Sequence, residues 1–132
     1  MKTIHVSGKR KRAIARATIK QGHGKVRINN QLLVNTSPKM AQMKLQEPLI
    51  LAGEDANHVD IDVNVTGGGT MGQADASRLV IAKALVAWTK DKNLENKFLK
   101  YDRHLLVADV RRKETRKPND SKARAKRQKS YR

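Results

Sequence analysis

The stretch HVDIDVNVTGGGTMGQADASRLVIAKALVAWTK, His58 to Lys90, joins two hydrophobic periods through three glycines. In its first nine residues Val59, Ile61, Val63 and Val65 alternate with His58, Asp60, Asp62 and Asn64, the period of a strand with one apolar and one polar face. Beyond Gly69 the period changes. Asp75, Arg78, Lys83 and Lys90 fall within a polar arc of about 140° at the helical turn angle, and Val80, Ile81, Ala84, Leu85, Ala87 and Trp88 fill the rest. A strand that turns through GGGTMG (Gly67 to Gly72) into a helix reaching about Lys90 predicts a sheet with this helix packed on it, and Trp88 is expected in the core. Thr70 and Gln73 have the spacing of a capping box.

Upstream, Thr3 to Val6 is short and β-prone, and RAIARATIK (Arg12 to Lys20) alternates Ala13, Ala15, Ala17 and Ile19 against Arg12, Ile14, Arg16, Thr18 and Lys20. That pattern predicts a strand whose outer face is mostly cationic. QGHG (Gln21 to Gly24) reads as a turn and KVRIN (Lys25 to Asn29) as a returning strand, which together predict a hairpin. Asn29 and Asn30 mark another turn before the apolar run Leu32 to Val34. SPKMAQMKLQEPLILAG (Ser37 to Gly53) reads as a helix capped by Ser37, with Pro38 first, an apolar face carrying Met40, Met43 and Leu45, and a break or kink at Pro48. Downstream, a shorter helix is expected within Asn93 to Tyr101, and Leu105 to Val110 is the last apolar stretch. From Arg111 the pattern dissolves into charge, so the division expected is a globular unit over 1–110 and a basic tail over 111–132.

Charge decides the class of partner. The chain of 132 residues carries a net charge of +17, distributed as +11 over residues 1–46, −3 over 47–110 and +9 over 111–132. Two cationic ends around a near-neutral middle repel one another unless a polyanion screens them, and a phosphate backbone is the commonest such partner. Membrane headgroups fit poorly, because no apolar face accompanies the basic clusters and no apolar run approaches the ~20 residues that span a bilayer. There is no cysteine, hence no disulfide framework, thiolate nucleophile or Cys-ligated zinc. The chain reads as soluble and intracellular.

Four consecutive cations, Lys9, Arg10, Lys11 and Arg12, follow Gly8 and continue into Arg16 and Lys20. A charge run is commonly a solvated face, but no acid occurs in the first 46 residues to balance this one, which favours phosphate contact. The Gly67, Gly68, Gly69 triplet opens a helix, whose N-terminal donors and dipole attract anions. It lacks the Lys-Ser/Thr of a P-loop and the spacing of a dinucleotide fingerprint, so it reads either as a turn alone or as a turn that also meets RNA phosphate. Asp60 and Asp62 share a strand face, read as solvated. The four histidines are scattered without metal-ligand spacing. Neither a catalytic residue, a metal, a cofactor nor a small-molecule substrate is expected. With only Trp88, Phe98, Tyr101 and Tyr131 as aromatics, recognition by base stacking is not expected either, which leaves shape and backbone charge.

Three blocks, GKRKRAIARA (Gly8 to Ala17), GGGTMGQADASRLVIAKAL (Gly67 to Leu85) and RHLLVADVRRKETRKPNDSKARAKRQKSYR (Arg103 to Arg132), together resemble the universal ninth protein of the small ribosomal subunit. Their order and spacing cover nearly the whole chain. The resemblance implies a small α+β domain, a two-layer arrangement with a mixed sheet of about four strands packed by helices, an unusual left-handed βαβ unit and an extended basic C-terminal tail. It implies a cytoplasmic ribosomal protein whose partners are small-subunit ribosomal RNA, neighbouring proteins of the subunit head and peptidyl-site tRNA. Carried over by position, ribosomal RNA contacts would fall on Lys9, Arg10, Lys11, Arg12, Arg16, Lys20, Gly67, Gly68, Gly69, Arg78, Arg111, Arg112, Lys113, Arg116, Lys117, Lys122 and Arg124. Contacts to tRNA would fall on Lys126, Arg127, Lys129, Ser130, Tyr131 and Arg132. Bacterial members typically end in Ser-Lys-Arg; the Lys-Ser-Tyr-Arg ending here resembles the archaeal and eukaryotic branch. Residues 111–132, fully extended, would reach roughly 70 Å at ~3.3 Å per residue. Two rival readings remain beside this one: a free nucleic-acid packaging protein that binds by charge alone, and a phosphotransferase using Gly67 to Gly72.

Overall fold

The computed structural model describes residues 2–120 and 122–124. Its described residues form an α+β domain with a five-stranded mixed sheet and three α-helices, which meets the expected fold class and adds one strand to it. The elements are β1 (Thr3–Arg10), β2 (Ala13–Gln21), β3 (Val26–Ile28), β4 (Gln31–Leu32), α1 (Lys39–Ala52), β5 (Val59–Thr66), α2 (Thr70–Thr89) and α3 (Lys92–Tyr101). Spatial order is β1-β2-β5-β3-β4; β3 runs parallel to β5 and every other neighbour pair is antiparallel. β3, α1 and β5 therefore make a βαβ unit.

β5 behaves as its alternation predicts. Val59, Ile61, Val63 and Val65 are buried, as are Ala13, Ala15, Ala17 and Ile19 of β2, and these form one face of the sheet. α2 lies across that face, with α1 beside it. The helix is buried on more of its circumference than its polar arc implies, since Ala74, Ala76, Ser77, Leu79, Val80, Ile81, Ala82, Ala84 and Leu85 are all covered. A helix wedged between a sheet and a second helix needs apolar residues nearly all round. Gly8 permits that close approach: a Cβ there would lie 2.8 Å from Leu79 Cδ2 and 3.0 Å from Val80 Cγ1. Phe98 from α3 and Leu105 belong to the same core, both fully covered. Burying side chains of this size contributes about 1.5–3 kcal/mol each.

Several expectations are corrected. The hairpin between β2 and β3 does not form, because β5 inserts between them. Backbone groups of the intervening turn go to β5 instead: Gly22 N donates to His58 O, Gly24 N to Val59 O, and Lys25 O accepts from Ile61 N at 2.9 Å. The most β-branched strand takes the centre, where both its edges are paired. Secondly, Leu45 is buried as expected but Met40 and Met43 are exposed, and Ala41, Pro48 and Ala52 complete the buried stripe at helical spacing. Pro48 lies within that stripe and the helix runs on to Ala52. Pro38, not Ser37, occupies the N-cap position of α1. Thirdly, Gly69 rather than Thr70 caps α2, and the Gln73 side chain donates to Gly67 O at 3.2 Å, so no capping box exists. Fourthly, Trp88 packs against the core but is only half-buried, with the Lys2 ammonium 4.9 Å from its ring centroid.

The second face of the sheet is polar. Cross-strand neighbours there include His5 with Thr18, Ser7 with Arg16, Arg16 with Asn64 and Thr18 with Asp62. Where Asn29 follows β3, its side chain continues the ladder, accepting from Val65 N at 2.9 Å and donating to Val65 O at 3.1 Å. Both Asn29 and Asn30 have positive φ, and the tight turn they form folds β4 back on β3. Among the described residues no cluster of His, Cys, Asp and Glu could hold a metal ion, and Asp60 has a different role. Its carboxylate accepts the backbone N–H of His23 and Lys25, at 2.9 and 3.0 Å, and so shapes the turn between β2 and β3.

Candidate nucleic-acid interface

β1 and β2 meet through the two-residue turn Lys11-Arg12, in which Lys11 has φ +55. Lys9, Lys11, Arg12 and Arg16 are exposed around it. The glycine loop is laid directly on this turn. Gly67 and Gly68 have φ of +77 and +67, a region costly for residues with a Cβ. A Cβ on Gly67 would also stand 2.6 Å from Arg12 O, and one on Gly68 3.0 Å from Ala13 N. Glycine is thus required twice over, for torsion and for backbone approach. Gly69 lies open beyond them at the α2 N-terminus, where no side chain at the cap accepts from the first helical N–H groups. Those donors and the helix dipole present partial positive charge beside two cationic side chains.

A third segment joins them. The Arg10 guanidinium, only 15% exposed, faces Asp75 at 4.0 Å and Asp109 at 3.5 Å, and donates to Arg111 O at 3.4 Å. Arg111 grips the same Asp109 through Nε, 3.0 Å from each oxygen, and through Nη2 at 2.7 Å. Those hydrogen bonds, with the Arg111 N–H and the Arg10 charge, hold the Asp109 carboxyl well below the usual carboxylate range. The root of the tail is thereby pinned to the end of β1. It delivers Arg112 and Lys113 to a cleft of about 510 Å³ shared with Lys11, Arg12, Gly68 and Gly69. A neighbouring cleft of about 430 Å³ also draws on Arg112, with Lys9, Arg16 and Lys83 around it.

Of the residues expected at the interface, Lys9, Lys11, Arg12, Arg16, Gly68, Gly69, Arg112 and Lys113 come together. Gly67 lies beneath them as backbone support. Arg10 and Arg111 act as fasteners, each holding Asp109. Arg78 lies elsewhere and is 12% exposed, paired with Glu47 at 2.5 Å and Asp102 at 3.1 Å, where it ties α1, α2 and the Arg103–Leu105 turn. Burial opposes the charge of Asp102, but the His104 N–H and Arg78 outweigh it and lower the Asp102 pKa. Lys20 stands opposite Asp60 toward the far end of β2. Arg116, Lys117 and Lys122 are exposed outside any helix or strand, and Arg124 pairs with Glu114 at 2.6 Å. Lys126, Arg127, Lys129, Ser130, Tyr131 and Arg132 lie outside the described residues. Sequence reasoning missed Lys83, whose Nζ donates to Ser7 O at 3.4 Å beside the second cleft. Its signal was its place in the polar arc of α2.

The family model described as ribosomal protein S9/S16 matches residues 8–132. Proteins named small ribosomal subunit protein uS9 from two strains of Methanococcus maripaludis are each 54% identical over 134 residues, covering the whole of both chains. One of the same name from Methanothrix thermoacetophila is 52% identical over 132 residues, again end to end. The chain belongs to the ribosomal protein S9/S16 family. Members of this family are structural proteins of the small ribosomal subunit, so the chain is a ribosomal protein and not an enzyme. For such a protein the clefts described above have the right chemistry. Cationic side chains of both Lys and Arg type converge with open helix donors, the groups that commonly meet nucleic-acid phosphates. The family match runs to Arg132 and so takes in the tail as well as the domain.

Proposed function

We propose that this chain binds small-subunit ribosomal RNA in the subunit head through the paired clefts at the end of β1, and that the end of its tail contacts peptidyl-site tRNA. One observation carries the RNA reading: Lys11 and Arg12, Gly68 and Gly69, and Arg112 and Lys113, from three distant parts of the chain, line a single cleft. Nothing about folding alone calls for uncompensated cations to be gathered; phosphate does. In this reading residues 1–110 are the RNA-binding body and residues 111–132 an arm that leaves it. Support for the arm comes from the exposure of residues 111–119 and from the pinned root that sets its starting direction.

The tRNA contact rests on the resemblance and on the charge of Lys126, Arg127, Lys129 and Arg132, with Ser130 and Tyr131 between the last two. Subunits carrying a chain that lacks Lys129 to Arg132 should form normally, sediment intact and release peptidyl-site tRNA faster than subunits with the full chain. Equal tRNA off-rates would refute the tRNA contact, while loss of the full-length chain from small subunits in high-salt sedimentation would refute the ribosomal RNA reading itself.

A further inference from the structure

The pole of the domain opposite the basic clefts has different chemistry. β2 runs from Ala13, at the clefts, to Gln21, roughly 26 Å away at ~3.3 Å per residue. Around that far end, the last turns of α1, the Gly53–His58 turn and Gly24 enclose a groove of about 430 Å³, in which Leu49, Ile50 and Ala56 form the apolar part and Gln46 and Asn57 the polar part. Ile50 is 72% exposed, and Met43, two turns earlier on α1, is 55% exposed. Glu54 and Asp55 stand exposed beside the groove. From Leu45 to Ser77 the sequence holds six carboxylates and neither Lys nor Arg.

We propose that this groove is a protein-docking surface and that its occupant is a lysine-rich segment of another small-subunit protein, carrying an aliphatic side chain that packs on Ile50. The inference rests on the reading of the chain as a subunit protein. Charge complementarity selects the occupant. On a chain of net charge +17, a patch that exposes Glu54 and Asp55 beside aliphatic carbon repels phosphate and offers no aromatic ring for a base, which disfavours RNA. A cationic peptide meets attraction there, and its apolar side chain removes Ile50 from water. Lys25, exposed, follows Gly24 at the groove's edge and sets one cation against the two exposed carboxylates; Lys20 is register-paired with Asp60, which also accepts the Lys25 N–H.

Carbodiimide treatment of purified small subunits tests this with the native chain, since it joins a carboxylate to a lysine amine only in direct contact. Mass spectrometry should find Glu54 or Asp55 linked to a lysine in a basic segment of a different subunit protein, and Ile50→Asn should lower that yield at least threefold at equal incorporation. Four results would overturn the proposal: carboxylates that react with added glycinamide as fast as in the free chain, carboxylates protected without any protein link, a link to a second copy of this chain, or a yield unmoved by Ile50→Asn. If the chain fails to sediment with the subunits, it is the ribosomal reading that falls, before any cross-linking is done.

Discussion

Arg10 stands in the middle of the four-cation run, yet its part is internal. Its guanidinium faces Asp75 on α2 and Asp109 at the tail root, whereas Lys11 and Arg12 beside it face solvent. Arg10→Ala should therefore cost about 1–2 kcal/mol in a denaturant titration, because partly covered charged hydrogen bonds go unmade, and should speed tryptic cleavage at Arg111 and Arg112 in the folded chain. Lys9→Ala should do neither. Asp60 is the second residue whose charge is spent on the fold. Its pKa is lowered, chiefly by the Lys25 N–H, against a smaller opposing effect of burial. A depressed carboxylate pKa contributes stability that is complete above the unfolded value near ~3.9 and is lost as pH falls through the folded value. Asp60→Ala should thus lower the melting temperature at pH 7, and that deficit should shrink in melts at pH 3. Asp60→Asn, which keeps an accepting oxygen but no charge, should fall between the two.

Elements whose pattern was strong in the sequence formed where the pattern placed them. β5 and α2 were legible because one alternates β-branched residues over eight positions and the other extends for 20 residues. α1 was legible as a helix but not in its facing, since methionine is hydrophobic by type and here is exposed, while the smaller Ala41 and Ala52 and the rigid Pro48 make the contact. The partner of β3 was not legible at all. Strands adjacent in sequence are commonly neighbours in the sheet, but here β5 lies between β2 and β3 and takes the hydrogen bonds of the turn at residues 22–25. The candidate site was half-legible: the cations could be counted, but which were free and which were clamped by Asp75, Asp102 or Asp109 depended on the fold. At this scale the joint between the glycine loop and the β1–β2 turn is the most vulnerable. Gly67→Ala combines a positive φ with a 2.6 Å approach to Arg12 O, so it should destabilise the chain by more than about 1 kcal/mol in chemical denaturation and weaken RNA binding by displacing Arg12.

Across the whole molecule, charge is sorted toward the two ends of the sheet. Among the described residues, exposed cations gather at the end of β1 and the start of β2, and the exposed carboxylates Glu54 and Asp55 lie with aliphatic carbon just before β5 begins. Replacing Lys11 and Arg12 together by Glu should weaken binding to folded head-domain RNA and flatten its salt dependence, measured by filter binding across a salt series. The log–log slope should fall by about 0.7–0.9 for each phosphate that is no longer neutralised. Glu54→Gln should leave that slope unchanged. The tripartite make-up of the cleft has a further consequence in time. A chain is made from its N-terminus, so Lys9 to Arg12 emerge long before Gly67 to Gly69, and the root at Asp109 to Lys113 emerges last of the three. Until then the basic turn is an isolated cluster with the weak, indiscriminate affinity of any cationic peptide. Only a folded chain complete through Lys113 presents all three segments at once, so on the proposed reading copies that stop short of it should bind RNA more weakly and be disfavoured from assembly.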